Sequence, residues 1–200
     1  MGIGSYEPAE DTFLLADAIR RYSGKMALEI GVGSGYITAE ICKRNPFVVG
    51  TEISKKALKE AQIRLKSLNL DNFELILCDG ASAFREGCFD LVLFNPPYVP
   101  SSKIVDRTVD GGKEGIEVIK RFIEQSSRVI SKLGLIVFVL STLSNYDKII
   151  KMLKKMTFKV RKIVKRKLFF EEIFVVEAQR LHNSLAMVTD SSTVNRSTLF

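Results

Sequence analysis

The chain alternates short apolar runs with amphipathic stretches, a pattern that predicts an α/β protein with a mainly parallel sheet. A first helix follows Pro8, with Leu15, Ala18, Ile19 and Tyr22 as its apolar stripe. A strand is predicted at Met26–Ile30, then a glycine loop, then a helix through Lys43. Phe47–Thr51 reads as the second strand. Ser54 is placed to cap the next helix, whose stripe is Leu58, Ala61, Leu65 and Leu68. Phe73–Leu77 and Phe89–Phe94 form the third and fourth strands. The fourth must end at Asn95-Pro96-Pro97-Tyr98, because two prolines cannot continue a ladder.

A polar loop runs to Gly115, with Gly111 and Gly112 as a flexible point. Ile116, Ile119, Ile123 and Ile130 mark a long helix, and Leu135–Leu140 is an unbroken apolar run suited to the middle of a parallel sheet. A helix over Tyr146–Met156 precedes two last strands, Phe158–Val164 and Phe170–Glu177. Their connection is short, so they should pair antiparallel. The expectation is a seven-stranded, mostly parallel sheet with one antiparallel strand and helices on both faces, in one domain over residues 1–180. Residues 181–200 lose periodicity, are rich in Ser, Thr and Asn, and read as a disordered tail.

With 200 residues and 46% hydrophobic content the chain can bury a core. It has no apolar run of the ~18 residues that a bilayer span requires, and its first ten residues lack the features of a secretory signal. A cytoplasmic protein away from membranes is expected. Cys42, Cys78 and Cys88 show no C-x-x-C spacing and read as reduced thiols. The only histidine is His182, in the tail, which argues against histidine general-base chemistry and against a metal site. The net charge of +7 is concentrated between Lys148 and Lys167, where ten of twenty residues are basic. That stretch is either a solvated helix face followed by an exposed strand or a surface for RNA.

Two constellations carry chemistry. Glu29-Ile-Gly31-Val-Gly33-Ser-Gly35 lies between a strand and a helix, where glycines let the backbone turn and approach a ligand. Glu52 ends the next strand, 21 residues after Gly31, where a carboxylate can accept ribose hydroxyls. Asp79 ends the third and could accept from an adenine amino group. Tyr36 replaces the third glycine of the usual dinucleotide fingerprint, and Glu29 adds a carboxylate for an ammonium group. S-adenosyl-L-methionine carries such an ammonium; a nicotinamide dinucleotide does not.

The second constellation is Asn95-Pro96-Pro97-Tyr98. The Asn95 side-chain oxygen and the Pro96 carbonyl can accept two hydrogen bonds from one NH2 group, with the prolines stiffening the loop and Tyr98 offering a stacking face. Orientation is the main lever for so weak a nucleophile, and two acceptors favour positive charge growing on nitrogen.

With Tyr6-Glu-Pro8-Ala-Glu10-Asp11-Thr12 and Asn95-Pro96-Pro97-Tyr98-Val99-Pro100, the chain resembles the HemK-type protein-(glutamine-N5) methyltransferases of translation release factors, in their short archaeal and eukaryotic branch. The resemblance covers Ser5 to Ala178. It implies a class I, Rossmann-like methyltransferase fold, and contact of Thr12, Glu29, Gly31, Glu52, Asp79, Gly80 and Asn95 with the cofactor. It also implies that Asn95 holds the glutamine of a Gly-Gly-Gln motif. Bacterial members carry an N-terminal helical recruiting domain, whereas this sequence begins five residues before Tyr6. In the short branch a small zinc-binding activator packs beside the sheet and forms a heterodimer. An apolar edge strand at Phe73–Leu77 would suit such a partner. Without the resemblance, Tyr6–Thr12 reads as a helix cap.

Three other readings stay open on residues alone: an amino-group methyltransferase acting on adenine or guanine of DNA or RNA, a protein-lysine methyltransferase, and a non-catalytic cofactor-binding subunit.

Overall fold

The computed structural model describes residues 8–100, 111–112 and 114–181. Tyr6 and Glu7, most of the polar loop, His182 and the rest of the tail lie outside the described residues. The elements run α1 (Glu10–Ile19), β1 (Met26–Ile30), α2 (Tyr36–Cys42), β2 (Phe47–Glu52), α3 (Lys55–Ser67), β3 (Phe73–Leu77), β4 (Phe89–Phe94), α4 (Glu117–Val129), β5 (Ile130–Ser141), α5 (Tyr146–Lys155), β6 (Phe158–Lys167) and β7 (Glu172–Arg180). The seven strands form one sheet in the order β3-β2-β1-β4-β5-β7-β6. β7 pairs antiparallel with both β5 and β6, and the other pairs are parallel.

The strands are apolar on both faces because helices cover both. Along β4, Leu91 and Leu93 face the cluster built on α1 and α2, with Leu15, Ile19, Ile37 and Ile41. Val92 and Phe94 face the opposite cluster, with Ile119, Ile123, Ile149 and Phe174. This is the two-residue alternation of a strand, with no polar side to spare. Each such side chain contributes roughly 1.5–3 kcal/mol by leaving water.

The structure redraws several expected boundaries. Ile130 starts β5 rather than ending α4; its apolar side chain continued the helical stripe, but its backbone is extended and it pairs with Phe89. α1 begins at Glu10, with Ala9 as its cap residue, and Tyr22 lies beyond its end yet is buried. On α3 the Ser54 hydroxyl accepts from the Ala57 N–H at 3.3 Å as expected, but the buried stripe is Ala57, Ala61 and Leu65, with Leu68 exposed. β6 extends to Lys167, and β7 starts at Glu172, so Phe170 belongs to the turn between them.

Gly111 is not a flexible point. Its N–H donates to the Val99 carbonyl at 2.9 Å and its carbonyl accepts from the Glu117 N–H at 3.1 Å. A Cβ on Gly111 would sit 2.8 Å from the Pro97 carbonyl oxygen. Glycine is required there because two backbone segments touch.

The basic stretch falls on α5 and the edge strand β6. The expected apolar edge, β3, closes the other side of the sheet, with Leu77 half exposed. Among the described residues no helix is long and apolar enough to cross a membrane.

Candidate functional site

In a parallel sheet the loops leaving the carboxyl ends of adjacent strands converge, so residues far apart in sequence meet there. Here β3, β2, β1 and β4 are neighbours, and their ends deliver Asp79, Glu52, the Gly31–Gly35 loop and Asn95 to one edge.

The loop leaves β1 with its Gly31 and Val32 N–H groups donating to the Thr51 carbonyl at 2.8 and 3.0 Å. Gly31 and Gly33 have φ of 78° and 52°, and a Cβ on either would meet nothing within 4 Å. Their lack of a side chain therefore leaves open space, as a ligand cradle needs. Gly35 has φ of 76°, and a Cβ there would also lie 3.2 Å from the Ala61 backbone, so both its left-handed backbone and the approach of α3 call for glycine.

Glu52 is held by three backbone donors. Its Oε2 accepts from the Gly33 N–H at 3.0 Å, and its Oε1 from the Ile53 and Ser54 N–H groups, both at 2.9 Å. Of the roughly four acceptor positions of a carboxylate, a ribose diol would have to share the oxygens with these donors. Asp79 accepts from Arg121 Nη1 at 2.8 Å, an ion pair with both side chains about half exposed. Beside Gly80, Gln125 Oε1 accepts from the Ala81 N–H at 2.7 Å and stands 1.8 Å from where a Gly80 Cβ would be.

Glu29 is a buried carboxylate on β1. The Thr38 hydroxyl of α2 donates to its Oε2. Burial pushes its pKa up from 4.5 to about 8; the Thr38 hydrogen bond opposes that rise, and the Glu52 charge adds to it. A buried acid poised this way ionises readily when a cation arrives beside it.

The Asn95 amide is oriented by α1. Its Nδ2 donates to Thr12 Oγ1 at 3.3 Å, and that hydroxyl in turn donates to Asp11 Oδ1 at 3.3 Å. Because the hydroxyl hydrogen is committed to Asp11, Thr12 Oγ1 must accept from Asn95, which fixes the side chain with nitrogen toward Thr12. The other amide atom, Asn95 Oδ1, is buried and has no hydrogen-bond partner. Tyr98 Oη donates to Asp11 Oδ2 at 3.4 Å, so one carboxylate ties α1 to both ends of the loop. Pro96 is buried and Pro97 half-buried between them.

All the predicted residues thus lie at one end of the sheet. Asp11, Thr38, Arg121 and Gln125 were missed. Asp11 lies in the motif shared with the glutamine methyltransferases and was legible there; the other three act across helix–strand contacts that no local pattern marks.

These features define a class I methyltransferase fold. Residues 9–170 match the family model described as methyltransferase small domain. A Methanocaldococcus jannaschii protein assigned as a protein N5-glutamine methyltransferase is 36% identical, over 88% of this chain and 92% of its own length. The Schizosaccharomyces pombe eRF1 methyltransferase catalytic subunit mtq2 is 28% identical over 90% and 91%. The solved E. cuniculi Mtq2–Trm112 complex, described as responsible for methylation of the eRF1 termination factor, superposes with a TM-score of 0.75 at 28% identity. That match covers 88% of this chain and 99% of the solved one. The chain belongs to the methyltransferase small domain family, in its branch of protein N5-glutamine methyltransferases.

Proposed function

We propose that this chain methylates the side-chain amide of the glutamine in the Gly-Gly-Gln motif of a peptide chain release factor, using S-adenosyl-L-methionine. The observation that carries the reading is the orphaned Asn95 Oδ1. A buried carbonyl without a donor costs roughly 1–3 kcal/mol, and here it is held rigid by the Thr12–Asp11 chain. It is a built acceptor for one N–H of an NH2 group, and the Pro96 carbonyl is the natural second.

The residues present fit the cofactor. Glu29 offers a buried carboxylate to its ammonium, Gly31 and Gly33 leave room for its amino-acid end, and Glu52 faces its ribose. When bound it supplies an electrophilic methyl group. Asn95 and Pro96 orient the amide nitrogen, whose lone pair is delocalised, and stabilise the positive charge that grows on it. Tyr98 packs against the planar amide. In this reading Asp79 and Gly80 border the adenine and Thr12 acts through Asn95.

A small zinc-binding activator would cover β3, where Leu77 is half exposed and the strand's outer hydrogen-bonding edge has no neighbour among the described residues of the sheet. The basic residues of α5 and early β6, including Lys151, Lys155 and Lys159, suit an RNA contact near the site of translation termination in the cytoplasm. The catalytic unit spans residues 1–180.

The test is transfer of labelled methyl from S-adenosyl-L-methionine to release factor, to a factor whose Gly-Gly-Gln glutamine is replaced, and to total RNA. Label on the first alone is expected. Label on RNA, or on lysines of the altered factor, would overturn the glutamine reading.

A further inference from the structure

The turn between β6 and β7 is closed by a hydrogen bond from the Leu168 N–H to the Glu171 carbonyl at 2.7 Å. Its two middle residues are Phe169 and Phe170, 92% and 86% exposed. Turn positions favour Gly, Asn, Asp, Pro and Ser for backbone reasons. Two large apolar rings there gain nothing for folding and cost solubility. Where a sequence breaks a local rule without a structural return, a binding role is the usual cause.

The position of this tip is set by the sheet. Ser141, the last residue of β5, pairs with Ile173, so the turn lies at the carboxyl ends of the parallel strands, the same end as Asn95. It is anchored rather than free. The Thr142 N–H donates to the Glu172 carbonyl at 3.0 Å, the Glu172 N–H donates to Thr142 Oγ1 at 2.9 Å, and the Ser141 hydroxyl donates to Glu171. Arg166 pairs with Glu10. Glu10 opens α1, and the next two residues, Asp11 and Thr12, orient Asn95. The tip and the acceptor-holding amide are therefore fixed to the first turn of one helix.

We infer that Phe169 and Phe170 form a docking knob for the methyl-acceptor protein, inserting into an apolar pocket of an acidic face of that protein while its glutamine reaches Asn95. The inference rests on the functional reading above for the identity of the acceptor. Two observations select this occupant. The strand leading to the tip carries six basic residues and no acid; Arg161, Lys165 and Arg166 are each paired with a carboxylate of a neighbouring element, and Lys159, Lys162 and Lys167 make up its surplus of positive charge, so an acidic partner is favoured and a second copy of this chain, at +7, is repelled. The two rings stand edge to face, with centroids 4.6 Å apart and planes inclined at 79°, which makes a compact knob and not two parallel platforms for successive bases.

The test is steady-state kinetics of the Phe169→Ala/Phe170→Ala double variant of the full chain, in complex with its activator if the wild type needs one. Intact release factor is the varied substrate. The expected result is a KM for the factor raised at least about tenfold, with kcat, cofactor affinity and Tm unchanged. Partial rescue of KM by Phe169→Leu/Phe170→Leu is expected as well. A KM equal to that of the wild type would overturn the inference while leaving the glutamine reading intact. A fall in kcat together with Tm would mean that the rings serve folding, and loss of RNA binding at unchanged KM would assign the knob to nucleic acid; either overturns it. Absence of transfer to release factor by the wild type would overturn the functional reading and this inference with it.

Discussion

Two buried carboxylates lie on strands of the same sheet and are treated in opposite ways. Glu177, on β7, is fully furnished with donors. Tyr22 Oη donates to its Oε2 at 2.5 Å, and Arg161 donates to its Oε1 through Nε at 2.8 Å and through Nη2. Burial, then the Glu177 hydrogen bond and charge, push the Tyr22 hydroxyl well above its ordinary pKa, and Glu177 likewise raises that of Arg161. Glu29, on β1, accepts from the Thr38 side chain and backbone, yet burial drives its pKa up to about 8. The cluster at Glu177 is satisfied by the fold itself. At the other pole, the Asn95 carbonyl has no donor at all, and burial disfavours the charged form of Glu29. A fold keeps such debts where function needs them.

The largest expected effect comes from removing the unsatisfied acceptor. Asn95→Ala should lower turnover about a hundredfold or more, as loss of one preorganised polar group does. Stability should hold or rise slightly, because a buried carbonyl without a donor disappears with the side chain. Single-turnover methyl transfer and thermal unfolding check both halves. Turnover within threefold of the wild type would remove Asn95 from the acceptor role.

At the satisfied cluster the pattern should invert. Glu177→Ala leaves the buried Tyr22 hydroxyl without its acceptor and should cost roughly 1–3 kcal/mol of stability. Arg161 is more than half exposed and returns to water, so the larger penalty of a stranded buried charge does not apply. Cofactor affinity should be unchanged. Urea denaturation and calorimetry would separate the two effects.

How much of this contrast was legible in the sequence depends on distance along the chain. The glycine loop after Glu29 and the Asn95–Tyr98 turn are local, so their chemistry showed in a few adjacent residues, and strand alternation placed them at strand ends. Tyr22 and Glu177 are 155 residues apart, and no pattern in either segment announces the other. Tyr22 looked like one more stripe residue of α1. The same limit explains Ile130, whose helical spacing hid an extended backbone, and Gly111, where a Gly-Gly pair suggested freedom but the glycine is called for by close contact with Pro97. Asn95 was expected as an acceptor, and its fixing by Thr12 and Asp11 emerged only when α1 was placed beside β4.

Glu29→Gln sharpens the comparison through pH. The folded pKa of Glu29 is raised above its ordinary 4.5, so its stabilising contribution is complete below about pH 4.5 and is lost as pH rises through about 8. The wild type should therefore lose stability across that window, and Glu29→Gln should lose less. Cofactor affinity has the opposite slope. Binding an ammonium requires the ionised acid, so affinity should climb from pH 6 to 9 with release of up to about one proton. The groups that set this window are Glu52, whose charge adds to the rise, and Thr38, whose hydroxyl opposes it; the neighbouring Cys42 thiol is itself pushed up to about 12 by burial and by Glu29. Calorimetry in buffers of different ionisation enthalpy counts the proton. The Gln variant should bind more weakly, by roughly tenfold at pH 9, and without proton release. An unchanged proton count in the variant would show that another group titrates.

The smallest effect belongs to the exposed rim, where neither cluster's logic applies. Arg121 and Asp79 pair at 2.8 Å, but both are about half in water. Exposed pairs are worth ~0–1 kcal/mol, because solvent and salt screen the charges and ordering two flexible side chains costs entropy. Arg121→Ala should therefore leave stability within about 0.5 kcal/mol of the wild type. It also frees the Asp79 oxygen that Arg121 holds, and an acceptor needed for an adenine amino group becomes easier to recruit. Cofactor affinity should rise slightly or stay level, by less than threefold, and the difference between variant and wild type should vanish at 0.5 M salt. Asp79→Ala removes the acceptor itself and should weaken binding more than Arg121→Ala changes it. If the two variants instead weaken binding equally, the ion pair acts as a unit that shapes the rim, and Asp79 has no separate contact with the ligand.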